Sequence, residues 1–149
     1  MSEIKHILVP TDFAEPAQLA LEFAIDLSKK FGAALTLLHV YDVPVYPYSW
    51  AAPSADEQAR IRSAAQQHLD DAVAELRKQV PSAQGVLRCG SPWEEIQKTA
   101  EDTDASLIVM GTHGRRGLQH MMLGSVVEKT LRLSCIPVLT VRAKPHPGS

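Results

Sequence analysis

The sequence is poor in cysteine, in aromatic residues and in net charge. Its 149 residues include two cysteines, Cys89 and Cys135, with no CxxC pair. This excludes a disulfide scaffold and a cysteine-based zinc site, and it suits a reducing cytoplasm. Lysine and arginine total 15 against 17 acidic residues, a net charge of -2, so no nucleic-acid partner is expected. No apolar run approaches the roughly 18–20 residues that would span a bilayer, so no membrane partner is expected either.

The bulk composition is that of an ordinary folded domain. Hydrophobic residues make up 45% of the chain and charged residues 21%, which is close to the globular average and argues against disorder. A chain of this length is about one domain and needs no disulfide or metal to hold its core. We expect a single domain over residues 1–142 and a flexible polar tail over residues 143–149.

Short apolar runs alternate with amphipathic helical patterns. The runs, each predicted to be a strand, cover residues 4–10, 33–40, 84–89, 105–110 and 136–141. Helices are predicted from Pro16 to near Gly32, over residues 55–80, from Ser91 and from Ser125. Continuous apolar runs indicate strands that helices cover on both faces. With right-handed crossovers, this order predicts an α/β fold with an open, doubly wound parallel sheet of five strands.

Periodicity and capping signals add detail to the helices. In the first helix Leu19, Phe23 and Leu27 recur every four residues, with Ala20 and Ala24 beside them, and this stripe predicts its apolar face. Ser91 and Ser125 are each followed by glutamate three residues later. This is the spacing of a capping box, in which the serine hydroxyl accepts a backbone N–H from the first helical turn.

Two segments that follow predicted strands carry the residues suited to ligand binding. Pro10-Thr11-Asp12 ends the first strand; Gly111 and Gly114 follow the fourth, and Gly124 and Ser125 come after nine further residues. Ligands in such sheets bind at the carboxyl ends of the strands, where the strand order reverses. Glycines and a helix N-terminus together predict a phosphate cradle of backbone amides and one hydroxyl. The alternative is a surface loop followed by an ordinary capping box.

Neither GxxxxGK[ST] nor an early GxGxxG is present, which argues against a P-loop NTPase and a standard dinucleotide fold.

These segments resemble the motifs of the universal stress protein family. The resemblance spans residues 3–142 and rests on residues 7–13, 107–114, 124–126 and 135–141; the glycine spacing matches the G-2x-G-9x-G-[ST] motif of the ATP-binding branch. It implies strand order 3-2-1-4-5, with the reversal between the strands that carry Asp12 and the glycine loop. It also implies ATP with Mg²⁺ as the ligand, and a homodimer in which the last strand, Ile136 to Val141, pairs with its symmetry mate.

The resemblance further implies a role for each residue that matches a family position. These residues are Pro10, Thr11 and Asp12 for the adenosine, with Asp12 near the ribose; Val40 for the adenine; Met110 and Gly111 for the sugar and base; and His113, Gly114, Gly124, Ser125 and Val126 for the phosphates. Phe13 departs from the family, in which glycine or serine is frequent at this position, and its bulk is expected to narrow the mouth near Asp12.

Some of these residues have an alternative interpretation. Asp12 can equally be a turn or N-cap residue ahead of Pro16, and His113 an ordinary loop residue. His39, inside the second strand, is expected to be packed and hydrogen-bonded rather than a ligand. The six histidines show no ligand spacing on a shared helix, so no metal ligand is assigned. No catalytic residue is assigned either.

The function expected from these residues and from the resemblance is that of an ATP-binding, cytoplasmic stress-response protein, a nucleotide-dependent regulatory or protective module. A slow ATP hydrolase or phosphoryl-transfer enzyme is one alternative, although no general base, P-loop lysine or paired metal carboxylates can be assigned. A nucleotide-free interaction dimer is another. Tyr46, Tyr48 and Trp50 follow the second strand, where they would shield the base, present a partner surface or simply pack together.

Overall fold

Strands and helices alternate along the whole described chain. The computed structural model describes residues 3–43, 52–112 and 121–142. Its elements in chain order are β1 His6–Thr11, α1 Glu15–Phe31, β2 Ala34–Tyr41, α2 Ala55–Leu76, β3 Gln84–Cys89, α3 Pro92–Asp102, β4 Leu107–Thr112, α4 Met121–Leu133 and β5 Val138–Arg142. The order of elements is the predicted one, and β1, β2, β4 and β5 lie one or two residues closer to the C-terminus than expected.

The five strands form one sheet in the order β3-β2-β1-β4-β5, and every neighbouring pair is parallel. This confirms the predicted fold class and strand order. The strand order reverses between β1 and β4, which are neighbours at the centre of the sheet. β3 and β5 are the two edges. For β3 this agrees with its weak apolar run, which Arg88 interrupts, and for β5 it agrees with the order implied by the resemblance.

Side-chain alternation explains why the central strands read as continuous apolar runs. Ile7 and Val9 of β1 point to one face of the sheet, where they join a core cluster with residues of α1 and α2. Leu8 points to the other face and packs in a second cluster with residues of α3 and α4. All three side chains are fully buried. A strand covered on both sides has no polar face to alternate with its apolar one.

The buried face of α1 differs from the predicted one. The helix buries Ala17, Ala20, Leu21, Ala24, Ile25 and Ser28. Phe23, which was expected to be buried, is 43% exposed, and Leu19 and Leu27 are half-buried. Leu19, Phe23 and Leu27 therefore lie along one side of the face that α1 buries against the sheet. Small alanines allow the helix to lie close to the sheet, and this close packing selects a face that a count of large apolar residues does not identify.

The long helix α2 and the turn after it account for the next apolar positions. Ser54 caps α2, because its hydroxyl accepts the Glu57 N–H at 3.1 Å. The helix ends at Leu76 rather than continuing to Val80, yet Val80 remains buried through a following turn in which its N–H donates to the Leu76 carbonyl at 2.9 Å.

Two predicted capping boxes are wrong in this structure. Ser91 occupies the N-cap of α3, but its hydroxyl makes no hydrogen bond to the helix; its carbonyl accepts the Glu95 N–H at 3.0 Å. Ser125 does not open α4, because that helix begins at Met121. Methionine and leucine are good helix formers, and residues 121–123 extend the helix by a turn ahead of the Gly124-Ser125 pair.

Other expectations concern residues outside the described ranges. These are His113 and Gly114, the aromatic loop of Tyr46, Tyr48 and Trp50, and the tail over 143–149. Among the residues that are described, no helix combines the length and the apolar character needed to cross a membrane.

Candidate functional site

The two central strands separate toward their carboxyl ends. β1 and β4 are paired only at Ile7–Leu107 and Leu8–Ile108, although both strands continue for several residues. On their other sides they remain paired, since β1 follows β2 as far as Thr11–His39. The separation therefore opens a crevice between the ends of β1 and β4. This is the position at which open α/β sheets bind ligands.

Gly111, on the β4 side of the crevice, lies directly against the first turn of α1. A Cβ atom built at this position would lie 2.0 Å from the Pro16 carbonyl oxygen and 3.0 Å from the Ala17 nitrogen. The atoms that a Cβ would contact all belong to the backbone, so no flexible side chain could move to relieve the clash. The glycine allows α1 to begin close to the sheet at the crevice, and its place in the sequence therefore has a packing reason of its own.

The residues after β1 form a tight polar turn on the opposite lip. The Thr11 hydroxyl accepts the Phe13 N–H at 2.9 Å, and the Asp12 Oδ1 accepts the Ala14 N–H at 3.0 Å. Asp12 thus has the turn role that was its alternative interpretation; the N-cap of α1 is Ala14. The turn uses one of the two carboxylate oxygens, and the Asp12 side chain is exposed.

Phe13 turns its ring away from the face where the base was predicted to bind. The ring centroid lies 4.5 Å from that of His39 and 5.5 Å from that of His68 in α2, and the side chain packs against the cluster on the α1 and α2 face. Val40 and Met110 belong to the cluster on the opposite face. The expected narrowing by Phe13 therefore does not occur on the side of the sheet occupied by Val40 and Met110.

His39 is a packed, hydrogen-bonded residue, as predicted. Its Nδ1 lies 3.0 Å from the Thr11 carbonyl oxygen. A carbonyl oxygen can only accept, so Nδ1 carries the proton and donates it to that oxygen. This bond ties β2 to the end of β1 at the crevice. The spacing of residues in the sequence did not indicate this contact. It also did not indicate that Phe13 has a left-handed backbone conformation, with φ of +65°.

An apolar surface lies on the α3 and α4 face of the same strand ends. Met110 is 2% exposed, and the half-buried Val40 and Val126 pack against the same cluster. Pro10, paired with Leu38 of β2, is also half-buried at this edge. Val40, Met110 and Val126, from β2, β4 and α4, thus share one cluster, and Pro10 of β1 is half-buried at the same strand ends.

The predicted phosphate-binding residues are only partly described. Gly124 lies in the first turn of α4, and Ser125, one residue further into the helix, is exposed. Because α4 begins at Met121, its unpaired N–H groups belong to the residues around 121–123 rather than to those after Ser125. In the described part of the chain, no group of three or more His, Cys, Asp or Glu side chains is arranged to hold a metal ion.

Tyr41 is the last residue of β2, next to the edge strand β3. It is paired with Cys89 of β3, and its carbonyl accepts the Gly90 N–H at 3.1 Å. Burial, together with the adjacent Cys89, raises the pKa of the Tyr41 phenol above its usual value, and Arg62 opposes the shift. The phenol is therefore neutral at physiological pH and can donate a hydrogen bond.

Comparison with known proteins gives a consistent result. The model of the universal stress protein family matches residues 3–142. The universal stress protein MJ0577 of Methanocaldococcus jannaschii is 30% identical over 94% of this chain and 96% of its own length. A solved family member from Burkholderia pseudomallei has a TM-score of 0.75 at 28% identity and covers 96% of this chain and 99% of its own. An Arabidopsis thaliana family protein with AMP bound has a TM-score of 0.65 at 18% identity and covers 94% of this chain and 92% of its own.

Proposed function

The chain belongs to the universal stress protein family, and on that premise we propose that it binds an adenine nucleotide, ATP with Mg²⁺, in the crevice between β1 and β4. The observation that carries the proposal is the separation of these strands after Leu8 and Ile108. Binding makes the protein a nucleotide-dependent regulatory or protective module of the stress response. The fold itself accommodates an adenine nucleotide, since AMP is bound in the Arabidopsis protein.

The base is proposed to bind on the α3 and α4 face. Val40, Met110 and Val126 are apolar, belong to or pack against one cluster, and come from three different elements. An aromatic base would cover the half-buried Val40 and Val126 and gain roughly 25 cal/mol per Å² of apolar area removed from water. Met110 is already buried and contributes little area to this gain. Pro10 borders this surface from β1.

The ribose is proposed to bind at the turn after β1. Asp12 is exposed, and one of its carboxylate oxygens is engaged with Ala14 at 3.0 Å. The second oxygen is an acceptor suited to the ribose hydroxyls, which are donors. Thr11 precedes it at the end of the strand, and Gly111 provides backbone on the opposite lip.

The phosphates are proposed to lie toward α4. The N-terminus of this 13-residue helix offers unpaired N–H groups and the positive end of the helix dipole, both of which favour anions. Gly124 is in its first turn, and Ser125 with Val126 follows. His113 and Gly114 complete the proposed set by their match to the glycine motif. Mg²⁺ would enter on the phosphates, since no metal ligand is assigned to the protein.

A second copy of the chain is the proposed partner. β5 is an edge of the sheet, with half-buried Val138, Leu139 and Val141 along it, and an apolar edge strand is a site for pairing with another chain. The two cysteines are free thiols and exposed, which agrees with the proposed cytoplasmic location, where thiols remain reduced.

Titration calorimetry with ATP, ADP and AMP in the presence of Mg²⁺ tests the proposed site. Asp12→Asn keeps an oxygen for the Ala14 amide but replaces the second acceptor with a donor. A hydrogen bond to a charged group contributes about 1.5–3 kcal/mol, so the affinity is expected to fall about ten- to hundredfold. Asp26→Asn, on the exposed side of α1, is the matched control and should bind like the wild type. Absence of binding heat and of any thermal shift with all three nucleotides would refute the proposal.

A further inference from the structure

Phe13 has a backbone conformation that its side chain disfavours. Its φ is +65°, in the left-handed region where a Cβ atom crowds the following carbonyl oxygen. Glycine adopts this conformation without that cost. A bulky residue persists in such a conformation only where the surrounding structure holds it. The contacts of the Phe13 ring therefore help to hold the turn, beside the hydrogen bonds of Thr11 and Asp12.

Two imidazole rings supply those contacts. The Phe13 ring lies between His39 of β2, at 4.5 Å and an interplanar angle of 51°, and His68 of α2, at 5.5 Å and 34°. These separations are typical of favourable aromatic pairs. His39 is itself fixed by donation from Nδ1 to the Thr11 carbonyl at 3.0 Å. The ring thus connects the end of β1 to both β2 and α2.

The clamped residue stands in the middle of the turn that carries Asp12. Its own N–H donates to the Thr11 hydroxyl, and the next N–H, of Ala14, donates to the Asp12 carboxylate. The second bond spans Phe13, so its geometry depends on the backbone torsions of that residue. A turn free to leave the left-handed conformation would lose this bond and with it the fixed position of the Asp12 carboxylate.

We propose that Phe13 is a positioning residue for the nucleotide: its ring, clamped between His39 and His68, holds the Thr11–Ala14 turn in the conformation that presents the Asp12 carboxylate. The ring lies on the α1 and α2 face and the proposed base surface on the other, so Phe13 acts through the turn. The binding role rests on the proposed function, whereas the clamp on the turn is a property of the ligand-free chain.

A series of substitutions distinguishes the effect of the Phe13 ring from the effect of the backbone conformation at that position. Phe13→Tyr keeps an aromatic ring, and Phe13→Gly permits the left-handed conformation without enforcing it. His68→Ala removes one partner of the ring on an exposed position of α2. Phe23→Ala, which removes a phenylalanine that is 43% exposed on α1, is the matched control. Two quantities are measured: hydrogen exchange of the Ala14 amide without ligand, and ATP affinity by calorimetry.

Phe13→Gly is expected to speed hydrogen exchange of the Ala14 amide and to weaken ATP binding about tenfold. A tenfold loss of affinity corresponds to about one tenth of the molecules holding the turn in the conformation that binds ATP. Phe13→Tyr should restore both values, His68→Ala should change both in the same direction by less, and Phe23→Ala should change neither. Thermal unfolding identifies any variant that fails to fold. If Phe13→Gly fails to fold, the exchange and affinity measurements on His68→Ala test the proposal.

Unchanged exchange and unchanged affinity in Phe13→Gly and His68→Ala would overturn the inference and leave the proposed function intact. A wild type that binds no adenine nucleotide would end the proposed function instead, and exchange of the Ala14 amide alone would then decide on the clamp. Faster exchange confined to the variants without the ring or without His68 supports the clamp. Equal exchange in all variants contradicts it.

Discussion

A side chain at position 111 has no room, because its Cβ would lie 2.0 Å from the Pro16 carbonyl oxygen. Gly111→Ala is therefore expected to lower the free energy of unfolding by about 3 kcal/mol, the upper part of the usual range for overpacking. Urea denaturation without nucleotide measures this. The matched control is Gly32→Ala, at φ +64° with open space around the position, where backbone strain alone costs about 1 kcal/mol. Equal, small losses at both positions would show that α1 does not pack on β4 as described.

His6 gives the stability a pH dependence at the opposite end of β1. Burial lowers its pKa below the ordinary value of 6.5, and the nearby Asp104 partly opposes the shift; the Nε2 atom lies 2.7 Å from the buried Thr36 hydroxyl. Below pH 6.5 the unfolded chain therefore binds more protons than the folded one, and stability falls as the pH falls. Well above pH 6.5, where His6 is neutral in both the folded and the unfolded chain, it contributes no pH dependence.

The prediction for His6 is tested by urea denaturation across that range. His6→Gln cannot titrate but can still form a hydrogen bond with Thr36. The decline in unfolding free energy from neutral pH to about pH 5 should be shallower in the variant than in the wild type. Parallel declines would mean that His6 has the same pKa in the folded and unfolded chains.

Among the elements, β5 has some backbone groups that the fold uses and others that only a second chain could use. Folding and dimerisation can therefore be tested separately at this strand. The Ile108 N–H donates to the Pro137 carbonyl, and Met110 is in register with Thr140. In a parallel ladder alternate residues point to the same neighbour, so Leu139 and Val141 bond to β4 while the backbone of Thr140 points to the open edge.

Thr140→Pro is accordingly expected to abolish the dimer with little loss of stability, because proline removes an N–H that the fold does not use. Thr140→Ala keeps that N–H and is the control. Light scattering at micromolar concentration should report a dimer for the wild type and the alanine variant and a monomer for the proline variant. A dimer in all three would place the interface elsewhere on the chain.

The elements also show what the sequence could and could not predict. The buried strands β1, β2 and β4 were found because a run with two covered faces has to be apolar throughout. The order of elements followed from all five apolar runs and the helical patterns between them. The face of α1 was misassigned because Phe23 and Leu27 outweigh alanine in any apolar count, whereas packing density favours Ala20 and Ala24 against the sheet. The start of α4 was misplaced because Gly124-Ser125 resembles a break followed by a cap.

The candidate site was located from the sequence but not built from it. Chain order places residues 12 and 111 at the carboxyl ends of strands. That these two strands are neighbours followed from the family resemblance, which implies order 3-2-1-4-5, because another doubly wound order, 2-1-3-4-5, places the first strand beside the third. The stacking of Phe13 on His39 and His68 depends on which way one side chain turns from a left-handed residue. Residues 26 and 55 positions apart in the chain meet there, and no local pattern encodes such a meeting.

At the scale of the whole molecule, a net charge of -2 is compatible with a polyanionic ligand. Phosphate can be held by backbone N–H groups and a helix N-terminus without a basic patch. Overall charge therefore argues against nucleic acid while leaving ATP open. A crevice at the strand reversal, an apolar surface on one face and a fixed carboxylate on the lip are the features on which nucleotide binding is proposed.

Native mass spectrometry tests that central claim most directly, since it reports bound nucleotide and assembly in one spectrum. The protein is measured as purified and again after incubation with excess ATP and Mg²⁺. We expect a dimer whose mass increases by one adenine nucleotide per chain. Chains that remain bare in excess ATP would contradict it.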